Sequence, residues 1–147
     1  MTRCPECGAS YDTAGDSCAA RFEQLLALDH SRKEPWGSRH GQAFAAFALQ
    51  HPERFAGSLD HAWAALQRIY VSGDRPGFVF DRLRARRAEV LAEWNAPRRP
   101  ARPVGSPTVT IAQLGDFDAG TYANDLDEWC RAALAMWGAT VLRIDST

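Results

Sequence analysis

Apolar residues recur at helical spacing along most of the chain. Phe22, Leu25, Leu26 and Leu28 predict a first helix near residues 17–30, with Asp16 and Ser17 as good N-cap residues ahead of it. The stretch "SRKEPWG" (31–37) breaks the pattern through Pro35 and Gly37. Ser38 can cap a second helix, "RHGQAFAAFALQH", with Phe44, Phe47 and Ala48 as its apolar stripe; Pro52 ends it at about His51. Ser58 can cap a third, near 59–72, where Leu59, Ala62, Trp63, Leu66, Ile69 and Tyr70 make an i, i+3, i+4 face and Gly73 suits the C-terminus. Asp74 can cap a fourth, from 75 to about 87, with Phe78, Val79 and Leu83 directed inward. The segment "AEVLAEW" (88–94) either extends that helix or forms a separate turn.

Four prolines in 95–107 forbid a regular helix and predict an extended strap or linker. Thr108 to Leu114 reads as a short extended piece or a single turn, and strand signals are confined to 104–111. "GDFDAG" is loop. A last helix, near 119–137, carries Tyr122, Leu126, Trp129, Ala133 and Trp137 on one stripe and stops at Gly138. The expected fold class is all-α, a bundle of about five helices. It forms one metal-binding domain over 1–147: a knuckle at 1–18, helices over 19–94, a Pro-rich strap at 95–107 and a C-terminal helix region at 108–147.

Composition adds that a chain of 147 residues, 46% of them apolar, can bury its own core and needs no staple merely to fold. A formal net charge of −1 argues against a grip on nucleic acid by the chain as a whole. No run of about eighteen apolar residues is present, so no transmembrane helix is expected. Cys4 follows the N-terminus without an apolar signal segment, so a cytoplasmic location is expected. In a reducing compartment Cys4, Cys7 and Cys18 read as metal ligands or redox thiols before disulfides. Sixteen arginines to one lysine look like coding bias, and carry little functional weight. The stretch 75–102 holds eight arginines against Asp81, Glu89 and Glu93; it reads as a solvated helix face plus a basic linker, attracted to the acidic residues of 116–128.

The chemistry begins at "CPECG" (4–8). Two thiolates separated by two residues can share one ion, because the turn between them aims backbone N–H groups at the sulfurs and Gly8 eases its backbone angles. Zn2+ is the expected metal. A redox CxxC usually sits where a strand enters a helix, and no strand is expected here. No second CxxC exists, so with Cys18 as the third ligand the fourth must come from farther along: His30, His40, His51, His61 or Cys130. If helices 17–30 and 38–51 pair antiparallel, residues whose numbers sum to about 69 lie side by side. Cys18 then meets His51, and His30 meets His40. His40 and His51 stand roughly 16 Å apart along one continuous helix and cannot bind the same ion. His51 is therefore the expected fourth ligand, with His40 the alternative if the knuckle folds to the other end of the hairpin. His30 and His40, with Asp29, form a second possible polar site suited to a catalytic metal or general base. Cys130 reads as a buried free cysteine, and the five tryptophans read as core.

With these residues in view, the chain resembles a bacterial family known as domain of unknown function 5946. The carriers are "CPECGA" (4–9), Cys18 with the following "RFEQLLALDH", His40 and "LQHP" (49–52), "TVTIAQLGDF" (108–117) and "EWCRAALAMW" (128–137). The resemblance implies a small, mostly helical, metal-binding bacterial protein and no particular reaction. It implies an acid at position 29 and matches the histidines at 40 and 51, but not a cysteine at 130.

The leading functional expectation is a non-enzymatic zinc-stabilised helical module offering a protein-partner or regulatory surface, because a closed Cys3His site leaves no position for water. One alternative is a metal-dependent enzyme with a site near His30 and His40, although no HExxH, phosphate loop or nucleophile elbow supports it. The other is a regulator in which thiol oxidation ejects the metal.

Overall fold

The computed structural model describes residues 1–139. Five α-helices lie among them: α1 (Cys18–His30), α2 (His40–Gln50), α3 (Leu59–Tyr70), α4 (Pro76–Trp94) and α5 (Tyr122–Met136). The all-α expectation holds. The strands among the described residues are β1 (Thr2–Arg3) and β2 (Ser10–Tyr11), an antiparallel pair that brackets the CPECG turn. The strand signals at 104–111 correspond to no strand. Residues 111–114 form a 3-10 turn closed by a capping box: Gln113 accepts from the Thr110 backbone N–H at 2.6 Å, and Thr110 accepts from Ala112 N–H at 3.3 Å.

α2 sits at the centre. Ala43 and Ala45 through Leu49 are all buried, so this helix is apolar on nearly every side, as a helix enclosed by others must be. Its alanines let α3 and α5 approach closely, and these are its main partners. α1 crosses at the hairpin register, with Phe22 stacked on Phe47 at a centroid distance of 4.1 Å. Gln50 joins α2 to α5 and the 108–110 segment: its Oε1 accepts from Trp129 Nε1 at 2.9 Å and its Nε2 donates to Val109 O at 2.8 Å. Trp137 Nε1 donates to Leu49 O at 2.8 Å. The tryptophan stripe of α5 is thus core, with its polar atoms paired.

Several helix starts differ from the sequence expectation. Ser17 caps α1 as predicted, accepting from Ala20 N–H. Ser38 does not cap α2; it lies in a 3-10 turn at Gly37–Arg39, and its hydroxyl donates to Glu34 at 2.6 Å. Asp74 does not cap α4 either, because Arg68 takes its carboxylate. Pro76 instead opens α4 at a position where a missing N–H costs nothing. Phe78, expected inward, is 49% exposed. Val79 and Leu83, spaced i, i+4, take the buried stripe, and Phe78 stands one position off it beneath Arg82. Residues 88–94 continue α4, but beyond a break at Arg86, whose φ of −149° and ψ of 56° are not helical.

Residues 95–107 carry no helix or strand and are pinned rather than loose. Trp63 Nε1 donates to Pro97 O at 2.6 Å, and Val104 N–H to Met136 O at 2.7 Å. The basic and acidic segments do not pair as expected: Arg82, Arg84 and Arg86 take acids of α4 itself, and Arg99 takes Asp60. In the expected 108–147 region, residues 140–147 lie outside the described residues.

Candidate metal centre

The β1–β2 pairing folds the chain back on itself, and the turn between the strands is shaped by two backbone bonds. Cys4 N–H donates to Ala9 O at 2.8 Å and Gly8 N–H to Cys4 O at 2.9 Å. Gly8 has φ of +80°, a left-handed conformation that a Cβ would strain. Cys18 enters as the first residue of α1, fixed by the Ser17 cap. His51 enters as the C-cap of α2. The ligand atoms of Cys4, Cys7, Cys18 and His51 all lie within 4.8 Å of one another.

His51 is oriented for ligation. Its Nδ1 lies 2.8 Å from Phe47 O. A carbonyl can only accept, so Nδ1 carries the proton and Nε2 carries the lone pair. Nε2 is buried and has no hydrogen-bond partner. The ring is clamped further by stacking on Phe47 at 4.1 Å. A carbonyl behind the distal nitrogen is the usual support for a metal-bound imidazole.

The sulfurs are equally close-set. Cys7 and Cys18 Sγ are 3.5 Å apart, and the Tyr11 hydroxyl donates to Cys18 Sγ at 3.1 Å. Hydrogen bonds from Cys7 and Tyr11 pull the Cys18 thiol below its ordinary value, against its burial. The bond to Cys18, with burial, pushes Cys7 up to about 12. A tetrahedron with metal–sulfur bonds of about 2.3 Å separates sulfurs by roughly 3.8 Å. The donor types, spacing and buried orphan nitrogen all fit a metal ion, and the four residues can hold one.

A model of a family of unknown function, DUF5946, matches residues 2–138. The chain belongs to that family. No curated protein and no solved structure matches it. The DUF5946 match spans the knuckle, the hairpin and α5, so all four candidate ligands fall inside it. No helix among the described residues is long and apolar enough to cross a membrane.

The other sequence candidates lie elsewhere. His40, the alternative fourth ligand, is at the opposite end of α2, where its Nδ1 meets Asp29 Oδ2 at 2.8 Å. The knuckle folds to the Cys18 end of the hairpin, which removes the condition for ligation by His40 there. His30 lies beside His40, ring centroids 6.1 Å apart. Cys130 is a buried free thiol 3.6 Å from Gln42 O, and burial raises its pKa. Two supporting groups had no signal in the sequence. Tyr11 reaches Cys18 only through a strand two residues long, and Phe47 acts through its backbone carbonyl.

Proposed function

We propose that this DUF5946 chain is a zinc-stabilised helical module in which Cys4, Cys7, Cys18 and His51 are the ligands and the metal is structural. The observation that carries the reading is the buried, partnerless His51 Nε2 among three cysteine sulfurs. Three thiolates and one imidazole form a closed tetrahedral set of the kind zinc favours, with no position for water. The ion would tie the N-terminus to the start of α1 and the end of α2, closing one end of the hairpin. Free thiols in such a set suit a reducing, cytoplasmic setting. On this reading the protein serves through its surface, as an interaction or regulatory partner of other proteins, rather than by turnover at the zinc.

Thermal unfolding under reducing conditions tests the structural role. A folded-state ligand present at about a thousand times its Kd stabilises by about 4 kcal/mol, so chelation should lower Tm by at least about 10 °C, reversed by adding Zn2+. An unchanged Tm after the zinc has been shown to leave would refute the structural role.

A further inference from the structure

The far end of the hairpin holds a second set of polar groups, and its pairing is incomplete. Asp29, the last residue but one of α1, has a carboxylate that is almost wholly buried, its side chain 1% exposed. Oδ2 meets His40 Nδ1 at 2.8 Å, while Oδ1 is buried with no partner. The Tyr122 hydroxyl, on the first residue of α5, is also buried without a partner, and burial and then the Asp29 charge push its pKa up. No arginine or lysine pairs with Asp29 among the described residues. A buried carboxylate is normally paired in full or bound to a metal. The contact to His40 leaves half of this one unanswered.

His40 and His30 supply what a cation would need beside that carboxylate. The two rings stand edge to face with centroids 6.1 Å apart. His40 is half exposed with its Nδ1 held at Asp29, and His30 is exposed, so its ring is free to turn. Among the described residues their ligand atoms do not form a convergent set as those of Cys4, Cys7, Cys18 and His51 do; His30, at the exposed end of α1, would have to turn its side chain to close the site. The ring of His40 also borders a groove of about 660 Å3 between α2 and α4, with Phe44, Phe80, Arg84 and Arg87. Asp29 and His30 are not part of that wall, so the cluster meets the groove through His40.

We propose that Asp29, His40 and His30 form a second metal site, taking a divalent first-row transition ion through nitrogen and oxygen ligands. Two imidazoles and one carboxylate leave coordination positions open, unlike the closed thiolate set. His40 borders the groove, from which water or a small anionic ligand would complete the shell. The ion would answer Asp29 Oδ1, which has no partner in the protein. This site is independent of the structural zinc at the other end of α2.

Titration of the metal-free, reduced full chain with Co2+ tests the proposal, because the two sites differ in spectrum. Thiolate ligation gives an intense near-ultraviolet charge-transfer band; nitrogen and oxygen ligation does not. The wild type should take up two equivalents, one with that band and one without. Asp29→Asn, His40→Gln and His30→Gln should each weaken the bandless equivalent more than about tenfold and leave the thiolate band intact. His30 is exposed, so His30→Gln gives a reading even if a substitution at Asp29 harms folding. Saturation of the wild type at one equivalent with the thiolate band would overturn the second site while leaving the first. Retention of two equivalents by His30→Gln and His40→Gln would overturn the ligand assignment.

Discussion

His51 has one nitrogen held by its own helix and the other left without a protein partner, and the arrangement around it divides into separable contributions. Phe47 both accepts from Nδ1 through its backbone and stacks on the ring, and its side chain is 1% exposed. Phe47→Ala should cost about 3–5 kcal/mol by denaturant unfolding. It should also weaken metal affinity by loosening the ring, whereas Phe47→Leu should keep most of the stability. Gln50, one residue before His51, gives a control that concerns packing alone. Gln50→Ala strands the buried Trp129 N–H and should cost about 1–3 kcal/mol with metal content unchanged, read by unfolding and by metal analysis of the same sample. Of these residues, His51 was legible because its identity and its distance from Cys18 along a hairpin are both properties of the sequence. Phe47 O and Tyr11 were not, since a backbone carbonyl carries no residue signature and a two-residue strand shows no alternation.

Among the elements, helices α1, α3 and α5 were readable because each carries an apolar stripe at period 3.6 and stops near a proline or glycine, and α2 because an alanine-rich apolar run ends at Pro52. The hairpin register also followed, with Cys18 beside His51, Phe22 on Phe47 and His30 beside His40. The misread parts were decided by competition between side chains for the same partners. Ser38 and Asp74 are good caps by type, but Glu34 and Arg68 claim them first. The break in α4 has no glycine or proline to announce it; Arg86 leaves the helical region between two turns rich in ion pairs. Gly41 offers an element-scale test. A Cβ there would lie 2.7 Å from the Phe80 ring that packs α4 against α2. Gly41→Ala should therefore destabilise by about 1–3 kcal/mol, outweighing the roughly 1 kcal/mol gain in helix propensity. In a Phe80→Ala background the same change should become stabilising. An identical effect in both backgrounds would show that this contact does not set the spacing of the helices.

At the scale of the molecule, two ends of one helical hairpin carry two different sets of side chains: three cysteine sulfurs and an enclosed imidazole at one, a buried carboxylate beside one half-exposed and one exposed imidazole at the other. The roughly 16 Å that a continuous α2 puts between His40 and His51 keeps them apart. On the proposed ligand set His51, and not His40, completes the cysteine site. Its most direct measurement is the thiolate-to-Co2+ charge-transfer band, with its metal stoichiometry, in the reduced wild type, His51→Ala and His40→Ala. A Cys3His spectrum is expected in the wild type and in His40→Ala, and in His51→Ala a shifted spectrum with affinity more than about tenfold weaker. An unchanged spectrum and affinity in His51→Ala, or loss of the thiolate band in His40→Ala alone, would contradict it.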